Sequence, residues 1–109
     1  MKNLTPHAIN ILSSVTGEVV TFQPSGDLAR VSTSTVLVGQ VDGFPIYRTQ
    51  YGEVEGVPAP GTERFIVSAM VLGRLGQEYS GWAFAPRTDG SAVRLPNGQI
   101  DYVVGLVTV

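Results

Sequence analysis

Apolar and polar positions alternate along this chain in short runs, and glycine turns separate the runs. That pattern predicts strands over about residues 8–12, 18–22, 29–41 with a break, 44–51, 64–67, 81–85, 92–95 and 100–109. Thr16-Gly17, Asp42-Gly43 and Asn97-Gly98 each sit between apolar runs, the strongest local hairpin signal. Pro24-Ser25-Gly26 and the Pro-rich residues 57–61 read as loops. Ser68 can N-cap a short helix over residues 69–75, with Gly76 after its last turn. Gly73 inside that helix costs about 1 kcal/mol against alanine, and a continuous strand over residues 65–72 is the rival assignment. The final run alternates Ile100, Tyr102, Val104, Leu106 and Thr108 with Asp101, Val103, Gly105, Val107 and Val109, so both faces are largely apolar. A strand of that kind is expected to be covered on both sides, as a central strand, in a closed barrel or at a subunit interface.

Composition sharpens this picture. The chain has 109 residues, the size of one domain over residues 1–109 with a modest core. Only 15% of residues are charged, against about 25% in an average soluble protein. Mean hydropathy is +0.17, so apolar groups exceed what a small domain easily hides, and a homo-oligomer is expected to cover the remainder. No apolar run reaches the roughly 18 residues of a membrane span, and no secretory leader is expected. The absence of cysteine excludes disulfides and thiolate metal sites and fits a reducing cytoplasm. A net charge of −2, with seven scattered cations, argues against nucleic acid as a partner.

The opening Asn3-Leu4-Thr5-Pro6-His7 places Pro6 just ahead of the first strand, where its fixed φ and missing donor are tolerated. This opening resembles a widespread group of small uncharacterised proteins of tailed bacteriophages and prophages. The resemblance continues through Ser25-Gly26, Ala29-Arg30-Val31, the run Tyr51-Gly52-Glu53-Val54-Glu55-Gly56-Val57-Pro58, and Phe65-Ile66-Val67-Ser68. Towards the end it is carried only by Pro86, Val93-Arg94, Gly98 and Ile100. It implies a phage context and brings no activity with it.

Catalytic chemistry finds little support. His7 is the only histidine and reads as a side chain hydrogen-bonded at the mouth of the first strand, not as half of a Ser-His pair. Glu53 and Glu55 share a face of an extended segment but precede Gly56 and a Pro-rich loop, so they read as a solvated flank. No phosphate-cradling glycine motif occurs. An enzyme is therefore the weakest reading, and neither a cofactor nor a metal is expected.

Binding is better supported. Six of the seven cations are arginine, whose planar fork suits phosphate, carboxylate and ring stacking. Arg30 precedes the hydroxyl run 32–35, Arg48 lies between Tyr47 and Tyr51, and Arg87 follows Trp82 and Phe84. The candidate ligand-binding residues are Arg30, Arg48, Arg87 and Arg94, with Tyr47, Tyr51 and Trp82 as stacking partners. The alternative for each is a core ring or a rim cation.

The expected fold is mainly β, a small sandwich or barrel-like antiparallel sheet with at most one short helix. The expected function is a phage-encoded accessory protein that captures a small anionic, nucleotide-like signal in a counter-defence role. The alternatives are an inhibitor that docks on a host protein and a virion or assembly component.

Overall fold

Two buried residues organise the chain. In the computed structural model, which describes residues 1–109, Phe65 and Ile66 are both fully buried and point to opposite faces of one sheet. They form strand β6 (Phe65–Ile66), between β1 (Lys2–Asn3) and β7 (Ala83–Pro86), and β7 pairs in turn with β10 (Leu106–Thr108). Phe65 packs with Leu4, Val67, Val71, Leu72, Ala83 and Ala85, while Ile66 meets Ile11 and Val103. A strand covered on both faces must be apolar throughout, which is why these two large side chains are adjacent.

Three antiparallel hairpins surround this sheet. They are β2 (Ile9–Leu12) with β3 (Val19–Phe22), β4 (Arg30–Val41) with β5 (Phe44–Glu55), and β8 (Val93–Arg94) with β9 (Ile100–Tyr102). At 46% strand and 6% helix the protein is mainly β, as expected, but its small sheets do not close into a barrel. The central sheet is mixed: β1 runs parallel to β6, and β6 runs parallel to β7.

The local signals explain most turns. Asp42 and Gly43 both have positive φ, 51° and 83°, giving the two-residue turn whose twist matches a hairpin. Leu95 to Gly98 forms a tight turn closed by Gly98 N–H donating to the Leu95 carbonyl. Ser68 caps helix α1 (Ala69–Leu72), its Oγ accepting from Val71 N–H at 3.3 Å. The helix is shorter than predicted, because it ends at Gly73 before a separate turn at Gln77–Tyr79.

Two predictions are corrected. The run over residues 100–109 is not one doubly covered strand. Gly105, at φ 99°, breaks it into β9 and β10, and Val107 is left 42% exposed. Conversely, residues 29–41 are not broken: β4 runs for twelve residues from Arg30, and its pairing with β5 absorbs two register shifts, between Val31 and Thr33 and between Leu37 and Gly39. Its partner β5 extends past Tyr51 to Glu55, so Glu53 and Glu55 lie exposed on a strand, not on a loop.

The β4–β5 hairpin is an arm. Residues 32–53 are all exposed, and only Val31 and Val54 at its base pack against the core. The molecule is accordingly 56 Å long with a radius of gyration of 16.8 Å, against about 13 Å for a compact chain of this length. Here sit the apolar groups that composition alone does not place: Val36, Leu37, Val38, Val41, Phe44, Ile46 and Tyr47 are all exposed.

Candidate functional site

The opening motif is built for structure. Asn3 is 2% exposed, and its amide Nδ2 donates to the carbonyls of His7 at 2.8 Å and Phe22 at 2.9 Å. Its Oδ1 accepts from the Thr5 hydroxyl at 2.7 Å and the Thr5 N–H at 3.0 Å. Leu4 N–H then donates to Ile66, and Ala29 N–H donates to Leu4. The motif thus ties the chain start to β3, β6 and the residue before β4.

His7 takes part in this network only through its backbone. Its exposed imidazole makes no hydrogen bond within the chain, so the expectation of a side chain bonded at the strand mouth is corrected. The reason is that Asn3 and Thr5 already occupy the donors and acceptors of that turn. His7→Ala is therefore expected to change stability by no more than about 0.5 kcal/mol, read by urea unfolding. A loss above about 1 kcal/mol would show that the ring has a partner.

The His7 ring instead borders a cleft of about 330 Å³ with Ile9, Asn10, Pro86, Thr88, Ile100 and Asp101. An adjoining hollow shares His7, Ile9, Pro86 and Thr88 and extends to Ser68. Asp101 is the only carboxylate in the cleft, and no arginine lines it. Its electrostatics do not suit an anion.

The seven candidate ligand residues fall in separate places. Arg30, Arg48, Tyr47 and Tyr51 are on the arm. In the register Thr33↔Tyr51, Thr35↔Thr49 and Leu37↔Tyr47, the two tyrosines share one face, while Arg48, opposite Val36, lies on the other. Arg30 begins β4 opposite Glu55, and neither Arg30 nor Arg48 forms an ion pair. Trp82 precedes β7 in the body.

Arg87 and Arg94 are held by their own loops. The Arg87 Nε binds Asp89 at 2.9 Å, and its Nη1 donates to the Val104 carbonyl. Asp89 also accepts from the Ser91 N–H and hydroxyl, and these bonds, followed by the one from Arg87, hold its pKa down to about 2. Arg94 donates from Nη1 to the Gly98 carbonyl at 2.8 Å, bracing the β8–β9 turn. One chain therefore does not gather the seven residues into a single cleft.

Two arginines outside that set make the stacking contacts. The Arg74 guanidinium lies 3.8 Å from the Tyr51 ring centroid, and that of Arg64 lies 4.9 Å from Trp82. Arg64 also donates to the Gly81 carbonyl, whereas Arg74 has no ion-pair partner. Parallel pairing of Phe65 with Ala83 brings Arg64 beside Trp82, and the loop after α1 brings Arg74 to the arm. Neither neighbourhood is visible from sequence spacing, because each needs the strand order first.

No helix is long and apolar enough to cross a membrane. No protein-family model, curated protein or solved structure matches this chain.

Proposed function

We propose that this chain is a non-enzymatic accessory protein of tailed-phage type. In that role it acts in the host cytoplasm as a counter-defence module that captures a small anionic, ring-bearing ligand of the nucleotide class. The observation that carries this reading is the state of the arginines: five of the six make no ion pair, and two of those already lie on aromatic rings. Guanidinium groups without carboxylate partners are available to phosphate, and a ring beside them offers a stacking surface. The strongest single contact is near the base of the arm, where the Arg74 guanidinium covers the Tyr51 ring.

Two charge-assisted contacts of about 1.5–3 kcal/mol each, with stacking, reach micromolar affinity. Calorimetry against cyclic nucleotides and ADP-ribose derivatives tests this directly. At least one is expected to bind below about 100 µM and to be recovered intact after heating the complex. Arg74→Ala is expected to weaken it by roughly 10- to 150-fold, whereas Arg48→Ala, on the opposite face of the arm, is expected to leave it unchanged.

A second reading, an inhibitor that docks on a host protein, is favoured by the long uncharged arm. It replaces capture if no nucleotide binds and host lysate returns a single protein. Assembly into a virion would show instead as co-purification with particles.

A further inference from the structure

We infer that the β4–β5 arm is an assembly element, and that a second copy of this chain covers it. This inference stands apart from ligand capture, since a dimer without ligand preserves it and a ligand-binding monomer ends it.

The first argument is area. A compact monomer of 11.6 kDa exposes about 5,800 Å². This chain exposes 7114 Å², an excess of about 1,300 Å². A stable interface removes about 800 Å² from each partner, so the excess is more than one such interface needs. The excess lies where the apolar side chains are, on a two-stranded ribbon about 40 Å long that is marginal when left alone in water.

The second argument is the chemistry of the two faces. The arm's own residues on the face carrying Thr33, Thr35, Leu37, Tyr47, Thr49 and Tyr51 are uncharged, and the one cation on it, Arg74 over Tyr51, stands at the base end, away from the axis. Two copies can bring it together about a two-fold axis without setting any charge against its own image. The opposite face holds Arg48 beside Val36 and Gln50, and pairing it with itself would oppose like charges.

Edge pairing is the less suitable route. Pro45 removes a donor from β5, and the bulge at Val38 distorts β4, both of which discourage strand addition. Packing therefore runs face to face. With the axis beside Leu37 and Tyr47, antiparallel arms carry each Asp42 tip towards the base of the other copy's arm. A copy of the same chain is also the one partner always present when the protein folds.

Light scattering of the full chain at micromolar concentration is expected to give twice 11.6 kDa. Leu37 and Tyr47 are 59% and 57% exposed, so Leu37→Asp and Tyr47→Asp should halve the mass while leaving the melting of the body intact. Because the chain has no cysteine, a single introduced thiol gives a second test that does not depend on those variants folding. In otherwise wild-type protein, Thr49→Cys should cross-link two copies with a bifunctional thiol reagent, whereas Gln50→Cys on the opposite face should not. A wild-type mass of 11.6 kDa, dimers surviving both aspartate variants, or cross-linking through Gln50→Cys alone would each overturn the inference. So would a monomer whose arm is protected only in a complex with a host protein.

Discussion

Replacing Asn3 with alanine should cost about 2–4 kcal/mol, a large share of the roughly 5–15 kcal/mol that holds a small domain together. The side chain is nearly inaccessible and makes four hydrogen bonds to three residues, so truncation leaves partners without water or protein to bind. Removing one member of a buried polar pair costs more than the pair was worth, because the survivor keeps its desolvation penalty. Asn3→Asp separates the two halves of the network. It keeps the acceptor used by Thr5 but presents a second oxygen to the His7 and Phe22 carbonyls, where a donor is required. Protonation supplies one of the two donors again, so the deficit relative to wild type should be smaller, though not abolished, near pH ~4 than at pH ~7. Urea unfolding of both variants at the two pH values checks this. A deficit below about 0.5 kcal/mol for Asn3→Ala would show that the opening motif is held for another reason.

Local chemistry makes part of this fold readable. Asp42-Gly43, Ser68 and Asn97-Gly98 each act within four or five residues, and each produces the turn or cap its side chains imply. The central sheet leaves no such trace. β1 and β6 are two residues long, and their parallel pairing joins Asn3 to Ile66 across more than half the chain. Nothing in the sequence near either residue encodes that meeting. Gly105 misleads for the opposite reason: a two-residue alternation continues through it, while its positive φ turns the backbone out of the strand.

Low charge and positive mean hydropathy imply surplus apolar surface but do not locate it. The last strand looks like its source in the sequence, whereas the arm is the longer exposed apolar surface. The candidate site is legible by residue type and not by position. Tyr51 and Trp82 do stack with arginines, but their partners are Arg74 and Arg64, brought in by tertiary contacts. Arg87, close to Trp82 and Phe84 in sequence, and Arg94 bind loop carbonyls instead.

How the arm is held to the body gives the other large effect. At its base Gly56 has φ 81°, and a Cβ there would overlap the Leu28 carbonyl oxygen and sit 3.4 Å from the Leu28 carbonyl carbon. Both obstructions are backbone, so no side-chain rotation can relieve them. Leu28 would have to move, and with it Ala29, whose N–H donates to Leu4 and whose side chain packs on the main core. Gly61 has the same φ of 81°, and nothing lies within 4 Å of where its methyl group would stand, which makes it an internal control. Gly61→Ala should cost only the left-handed conformation, about 1 kcal/mol. Gly56→Ala adds displacement of the β4 start and should cost about 2–4 kcal/mol in all. Hydrogen exchange should show the added loss at Ala29 and Val31, where the arm joins the core, and not at the arm's tip. Equal costs for the two substitutions would mean that the chain passes Leu28 with room to spare, and that the arm pivots on its base instead of being fixed there.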